Sequence, residues 1–585
     1  MLIFPMFLKL ISLVFACFIF ISTLAMGDRV YASTALPCSA TGGTWKKGEL
    51  NIYVFDVEQG DSMLVIGPNA KTVLIDLGET RFNTTGSDTN ASRIASRIRS
   101  ICGTGQNPVA LDYFIASHLH LDHIGYAANP GDTTSYGNGI YQLLTPPPKG
   151  IGFKVGQYIT RDAGRWIDRN GNKRCEPGSS TQPTDEIAWT NVGTISTTAT
   201  RNLCWLYGPA GQPDRVNIEG KVVTLSTNGP WPTIDLGSGA KLQVINVNGK
   251  GSTLIDGVTP ISGDYSRRSL PPSENDYSIA VKISYGKYVM ASAGDTDGVY
   301  RTSEFGYTYN DIETRLGGLY GNVDTYRVNH HGSANSSNPT FINTLKPETA
   351  IFSCGSNSYG HPSNSAINTL KAVRNDRGTG ADMFLTNNPC SPTQSDGSPT
   401  NYAGMFGSNG DIIVTTNNKG SSYTISYPGG SKTYTAYGGG GSGGSDAVAD
   451  ASKILINEYM MAPSSGNEWV ELYNPTDSTI SIGGLFIDDI PNGGATPKAI
   501  PAGASIPPKG FYVVELGTSF LNNTGSEEVR FLKISNGVET VYDKTSYNLS
   551  STRLDSVFFR TGNSTWCNAI STRVTRGASN PTTCP

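Results

Sequence analysis

Apolar residues along this chain recur with two different periods. Residues 50–57, 63–66 and 73–76 are short runs rich in Val, Ile and Leu, the pattern of buried strands. At 92–101 the period changes, with Ile94, Ile98 and Ile101 at helical spacing, which predicts an amphipathic helix. A further apolar strand at 111–116 runs straight into a cluster of histidines. Strands alternating with helices in this way predict an α/β domain. From about 130 to 240 the chain is Thr-, Gly- and Pro-rich and weakly periodic, which reads as an insertion beside the core that carries Cys175 and Cys204. Beyond residue 452 only short β-type runs occur, at 453–458, 468–473, 511–515, 528–534 and 556–560, separated by Gly, Pro, Asn and Ser. That pattern predicts an all-β sandwich.

The break between these regions is the stretch Gly438-Gly-Gly-Gly-Ser-Gly-Gly-Ser445, a flexible tether by composition. It divides a large domain, 45–437 with its insertion at about 130–240, from a linker at 438–451 and a second domain at 452–585. Two or more domains suit a chain of 585 residues. At the other end, Lys9 precedes an apolar run over 10–26, and Val30-Tyr31-Ala32 offers small residues for cleavage. Residues 1–32 therefore read as a signal peptide. A retained membrane anchor is the alternative, since the run is long for a signal. No later segment is apolar enough for a membrane span, so stable insertion beyond the leader is not expected.

Charge narrows the partners. The net charge is −4 and only 16% of residues are charged, so bulk electrostatics recruit neither a polyanion nor an anionic membrane. Cysteine usage points to an oxidising compartment. Setting aside Cys17 in the leader, the eight others (Cys38, Cys102, Cys175, Cys204, Cys354, Cys390, Cys567 and Cys584) form an even set with no C-x-x-C spacing. They read as disulfides. Cys567–Cys584 is the expected pair in the last segment, and the pairing of the rest is left open by the sequence.

The six histidines fall in three short segments: Ser117-His-Leu-His-Leu-Asp-His123, Asn329-His-His-Gly-Ser333 and Tyr359-Gly-His-Pro362. Imidazole suits zinc-like ions and carboxylate suits harder ones such as manganese. In H-x-H-x-D-H on a turn after a strand, His118 and His120 can face one position while Asp122 and His123 face its neighbour. One loop can thereby serve two ions. Isolated histidines are more often structural than ligating, but this density of ligand atoms favours a metal site.

The Ser117–His123 motif resembles that of the metallo-β-lactamase superfamily. Val73-Leu-Ile-Asp-Leu-Gly78 is similar to the family's first motif, which implies that Asp76 supports the metal-binding loop. Ala293-Gly-Asp295 resembles the motif of the bridging aspartate, and Arg327-Val-Asn-His-His-Gly-Ser333 the closing histidine motif. Phe55-Asp-Val-Glu-Gln-Gly-Asp-Ser62, Asn275-Asp-Tyr-Ser278, His330-His-Gly-Ser333 and Tyr359-Gly-His-Pro362 are similar to the hydrolase domain of ComEC-type competence proteins, without their channel helices. The resemblance implies a four-layer αββα fold. It also implies a binuclear site of His118, His120, Asp122, His123, Asp295 and His330, for two divalent ions, Zn²⁺ or Mn²⁺, with Mg²⁺ admitted. A third histidine usual in site one is missing, and Asp276 or Asn275 is the candidate to complete it. Asp122, His331 and His361 are the candidate catalytic groups, the last two as hydrogen-bond or proton donors to substrate. For Asp61 a substrate-contacting turn and a plain hairpin both stay open.

In the second domain, Leu455-Ile-Asn-Glu458, Asn467-Glu-Trp-Val-Glu-Leu-Tyr-Asn-Pro475 and Ile482-Gly-Gly-Leu-Phe-Ile487 resemble the lamin-tail domain, an immunoglobulin-like sandwich. The expectation is a secreted, monomeric phosphodiesterase, free or at the cell surface, with DNA as substrate and RNA as a further candidate. Two rival readings remain. One is a cell-surface phosphodiesterase of the phosphorylcholine-esterase type, for which Trp166, Trp189, Trp205 and Trp231 could form an aromatic cage. The other is a surface-binding protein whose metal site is vestigial.

Overall fold

The structure is a computed structural model, and it describes residues 35–584 except 40, 81–87, 129–136, 168–185, 208–216, 219, 388–389, 391–404, 408, 438–450, 477–479, 492, 502–503, 536–537, 562–564 and 571–574. The expected leader, nearly all of the Gly/Ser linker, and Cys175 lie outside the described residues. Among the described residues no helix is long and apolar enough to cross a membrane.

Two large mixed sheets organise the first domain. One runs Gly430–Thr435, Ser422–Tyr427, Ile412–Asn417, Asn51–Val54, Met63–Ile66, Thr72–Ile75, Val109–Ile115, Lys154–Arg161 and Val222–Leu225, with Leu36–Pro37 beside Val109–Ile115. Its pairs are antiparallel up to Thr72–Ile75 and parallel after it. The other runs Thr233–Gly237, Ala240–Asn246, Ala280–Tyr285, Tyr288–Ser292, Thr325–Arg327, Thr349–Phe352, Asp382–Leu385 and Met405–Gly407. It too changes from antiparallel to parallel, at Tyr288–Ser292.

The period-two pattern explains the layering. In Asn51–Val54, Met63–Ile66 and Thr72–Ile75, alternate side chains enter different cores. Ile52, Val54, Met63, Val65, Val73 and Ile75 meet Leu242, Val244, Ile283 and Met290 of the other sheet in one apolar cluster. Tyr53, Leu64, Ile66 and Leu74 point the opposite way, onto Ile94, Ile98 and Ile101. Those three isoleucines belong to the helix Asn90–Cys102, capped by the Thr89 side chain and ended by left-handed Gly103. On the far face of the second sheet, Ala280, Val289 and Ala291 pack with Leu316, Phe341 and Ile367 from the helices Glu313–Tyr320, Pro339–Leu345 and Asn364–Ala372.

The described parts of the segment 130–240 are not an insertion beside the core but belong to it. Lys154–Arg161 and Val222–Leu225 extend the first sheet and Thr233–Gly237 opens the second, while Leu203, Trp205 and Leu206 of the helix Thr197–Tyr207 are core residues. Glycine and threonine disguise these strands in the sequence. Gly156 is required by close packing, because a Cβ there stands 2.6 Å from the Asp112 carbonyl. The tryptophans that the rival reading would gather into a cage are not all in one place. Trp189 and Trp205 belong to the helix-side core and Trp231 to the inter-sheet core.

The second domain is all β. Phe511–Gly517, Glu468–Tyr473, Leu455–Met460, Ser556–Thr561 and Thr565–Ile570 form an antiparallel sheet. Lys498–Ala499, Phe486–Asp488, Gly525–Ser535 and Val538–Leu549 form another, and Ile456, Val470, Leu472, Ile487, Val529 and Phe531 share a core. The strand Val538–Leu549 escaped the sequence reading because charged and hydroxyl side chains crowd its apolar positions. Cys38–Cys102, Cys354–Cys390 and Cys567–Cys584 are disulfides, and Cys204 is also disulfide-bonded. The basic residues near the C-terminus are engaged locally: Arg560 with Asp543, Arg576 with Glu515 and Arg553 with Asn568.

Candidate metal centre

Two of the three histidine segments sit at the ends of parallel strands, where the chain leaves its sheet, and the third, 359–362, lies in the loop between Thr349–Phe352 and the helix Asn364–Ala372. Thr72–Ile75 leads into Asp76, Val109–Ile115 into Ser117–His123, Tyr288–Ser292 into Asp295, and Thr325–Arg327 into His330 and His331. Parallel neighbours deliver their C-terminal loops to one edge, the usual place for a ligand crevice in α/β sheets.

The Ser117–His123 loop is held from several sides. Asp61, Leu77 and Glu79 donate backbone N–H groups to the carbonyls of Asp122, His123 and Leu121 at 2.8, 2.8 and 3.1 Å. Asp76, at positive φ, accepts from Ser117 N and Oγ at 2.7 and 2.6 Å, and its carboxylate lies 2.8 Å from His123 Nδ1. A carboxylate on the far nitrogen orients the imidazole and leaves Nε2 facing the centre. Glu274 accepts from Leu119 N at 3.1 Å and is gripped in turn by Arg161, whose Nη2 lies 2.6 Å from Oε1. Both members of that ion pair are buried.

Gly78 completes the cradle. A Cβ at this position falls 1.7 Å from the Asp122 carbonyl oxygen, so the loop can approach only a glycine. Gly78→Ala is expected to displace the Asp122–His123 turn and to lower the divalent-metal content of the purified protein, read by elemental mass spectrometry. An unchanged content removes Gly78 from this role.

At the centre, Asp61, His123, Asp295 and His331 bring ligand atoms within 4.8 Å of one another, and all four are buried. His123 Nε2 is 3.1 Å from Asp295 Oδ2; His331 Nε2 is 3.4 Å from the same oxygen and 3.5 Å from Asp122 Oδ2. His118 Nε2 and His120 Nδ1 stand 3.1 Å apart beside them, with the His118 and His123 rings 4.0 Å apart. Three buried atoms at the heart of the cluster, His123 Nε2, His331 Nε2 and Asp295 Oδ1, lack a hydrogen-bond partner.

The electrostatics follow from this crowding. Burial opposes a charge on His123, yet the Asp295 carboxylate, with Asp76 and Asp122, holds its pKa well above the imidazole range. Asp295 is driven the other way: burial works to raise it, and His123 and His331 hold it well below the carboxylate range. Burial depresses His118, His120 and His330, keeping them neutral. His361 is pushed down to about 3, first by burial and then by His330 and His331. Burial also opposes a charge on His331, but Asp295 and Asp122 raise its pKa. His118 and His120 are thus neutral, as ligation requires, whereas His123 and His331 hold a proton among the carboxylates that a bound cation would displace.

His330 and His331 exchange the places expected of them. Both have positive φ, 48° and 52°, so their side chains diverge. His331 Nδ1 meets the Ser353 carbonyl at 2.8 Å and its Nε2 faces the centre. His330 turns aside, with Nδ1 2.9 Å from Asp297 and Nε2 3.2 Å from Asn275 Nδ2. Asp276 is not delivered to the cluster. It is fully buried, and Asn310 donates to it at 2.6 Å. The His361 ring lies 5.1 Å from His330 and 6.5 Å from His331, at the margin.

Sequence reasoning passed over Arg327 and Ser353 and left Asp61 undecided. Arg327 contacts the Asp61 carboxylate and donates to the Gly294 carbonyl at 2.8 Å; burial pushes its pKa down to about 9. Both Asp61 and Arg327 lay inside quoted motifs, 55–62 and 327–333, so the signal was present. Ser353 acts through its backbone, which no side-chain pattern reveals.

Comparison with known families identifies one segment. The sequence model of the Lamin Tail Domain family matches residues 447–557, so the second domain carries a lamin-tail domain. No curated protein matches the chain.

Proposed function

We propose that this chain is a secreted metal-dependent phosphodiesterase of the metallo-β-lactamase fold, acting on nucleic acid, with DNA as the leading substrate. The observation that carries the reading is the convergence of His123, His331, Asp61 and Asp295, with buried nitrogen and oxygen atoms among them that make no hydrogen bond. An unpaired imidazole nitrogen and carboxylate oxygen in a buried cluster are costly unless a cation meets them. The donor set fits divalent ions, Zn²⁺ or Mn²⁺ ahead of Mg²⁺. Asp122, His123 and His331 would hold one ion, His118 and His120 the other, with Asp295 between them. Two such ions supply Lewis acidity toward a phosphoryl oxygen and acidify water near neutral pH. The layer order of helices, sheet, sheet and helices supports the αββα fold, and the disulfides are consistent with a secreted protein.

The chain's own groups do the rest. Asp76 and the Ser353 carbonyl fix the tautomers of His123 and His331, so that each presents Nε2 inward. His361, kept neutral by its surroundings, offers an N–H to a phosphoryl oxygen or to the leaving oxygen. Its loop is firm. Asn357 donates to the carbonyls of His361 and Gly355 at 2.7 and 2.9 Å and accepts from His361 N at 3.1 Å.

The test is incubation with plasmid DNA, RNA and bis-p-nitrophenyl phosphate, with Mn²⁺, Zn²⁺ or chelator, beside the double variant Asp122→Ala, His123→Ala. Cleavage of polynucleotide that disappears in the variant and in chelator is the expected result. Cleavage of the small ester alone moves the substrate away from nucleic acid, and no turnover with any metal ends the enzymatic reading.

A further inference from the structure

Beside the centre, the short antiparallel strands Arg301–Thr302 and Thr308–Tyr309 form a hairpin. Phe305, Tyr307 and Tyr309 occupy every second position along it. Their rings stand in series: Phe305 and Tyr307 are 6.2 Å apart and nearly parallel, Tyr307 and Tyr309 5.4 Å apart and edge-on. Phe305, at the tip, is 69% exposed. Single exposed apolar residues are ordinary on a protein surface, but a row of three rings rising out of the core is not. Arg301 on the hairpin and Arg267 on the adjoining segment are exposed and, among the described residues, pair with no carboxylate, while Arg268 is taken by Asp256. Glu304 is the exposed acid of the turn.

The row leads to the centre. Thr308 N donates to the Pro271 carbonyl at 2.8 Å and Ser273 N to the Thr308 carbonyl at 2.9 Å, which joins the hairpin to the segment before the turn Glu274–Tyr277. Asn275 of that turn lies 3.2 Å from His330. The residue after Tyr309, Asn310, holds Asp276. The base of the hairpin is thereby tied to the segment whose Asn275 touches His330.

We propose that the Arg301–Tyr309 hairpin is a base-stacking platform that carries single-stranded polynucleotide into the centre. Rings in series suit unpaired bases, which stack on aromatic faces whatever their sequence, and unpaired arginines beside them suit the phosphates. Duplex bases are already stacked and present no free face to such a row. The inference deepens the phosphodiesterase reading and rests on it, by naming the strand form of the substrate.

The experiment reads binding in chelator, apart from turnover. Fluorescence anisotropy of a labelled oligothymidine is compared with its duplex for the wild-type chain and for Phe305→Ala, Phe305→Trp, Arg301→Ala and, as a remote exposed control, Leu554→Ala. The expected result is preference for the single strand, weakening of at least about fivefold in Phe305→Ala, retention in Phe305→Trp and no change in Leu554→Ala. Arg301→Ala is expected to lower the salt slope by about one unit. Equal affinity of Phe305→Ala and wild type overturns the proposal, as does equal affinity for both strand forms. A wild-type dimer that Phe305→Ala dissociates also overturns it, by making the rings a self-association surface. Wild-type turnover of bis-p-nitrophenyl phosphate separates the two readings. Turnover without strand-selective binding sinks the platform alone, and strand-selective binding without turnover of any phosphodiester sinks the enzymatic reading while the platform stands.

Discussion

His331→Ala is expected to cut phosphodiester turnover by roughly a thousandfold, about 4 kcal/mol of barrier, and to lower bound metal in the same preparation. The reason is geometric. His331 Nε2 faces both Asp295 and Asp122, at 3.4 and 3.5 Å, and its other nitrogen is fixed by the Ser353 carbonyl. His330→Ala is expected to cost less, about tenfold to a hundredfold, the range for groups that orient a site from its margin. Its Nδ1 faces Asp297 and its ring is 14% exposed. The check is kcat/KM on bis-p-nitrophenyl phosphate together with metal content for the two variants. If His330→Ala proves the more damaging, the assignment of the pair is reversed.

The second large effect concerns stability. Arg161→Met leaves Glu274 buried without its counter-charge, and breaking a buried pair from one side typically costs about 3–5 kcal/mol. The midpoint of urea unfolding of the first domain is expected to fall accordingly. Arg161→Met with Glu274→Met removes the uncompensated charge and is expected to recover most of that loss. The double variant still lacks the acceptor for Leu119 N, so its metal content is expected to stay low although its fold returns. A full return of metal content would show that Glu274 serves the fold and not the loop.

Much of the centre was legible because its candidate ligands are of a rare type. With six histidines in three segments, the chemistry stood out against a chain of Gly, Ser, Thr and Asn. The helix at Asn90–Cys102 and the strands before it were legible through their clean periods, and the sandwich of the second domain through its turn residues. What escaped was set by backbone geometry. Which of two adjacent histidines turns inward depends on consecutive left-handed φ values, and sequence spacing does not encode that choice. Asp276 carried the right chemistry at an expected position, yet Asn310, 34 residues away, claimed it. The strand at 154–161 reads as part of an insertion because Gly156, demanded by tight packing, looks in one dimension like a loop, and the short strands 222–225 and 233–237 are too brief to show a period.

The centre draws on both sheets, and its members span the chain from Asp61 to His331. Before the sheets dock, a nascent polypeptide offers only the 118–123 turn as a chelator, a weak and unselective one. The full set of candidate ligands comes together only once the segment through Ser353 has closed on the first sheet. On the metal-dependent reading proposed above, ions would then be drawn from whichever compartment folding finishes in, and the metal supply there, more than any preference of the isolated turn, would decide which element the protein carries.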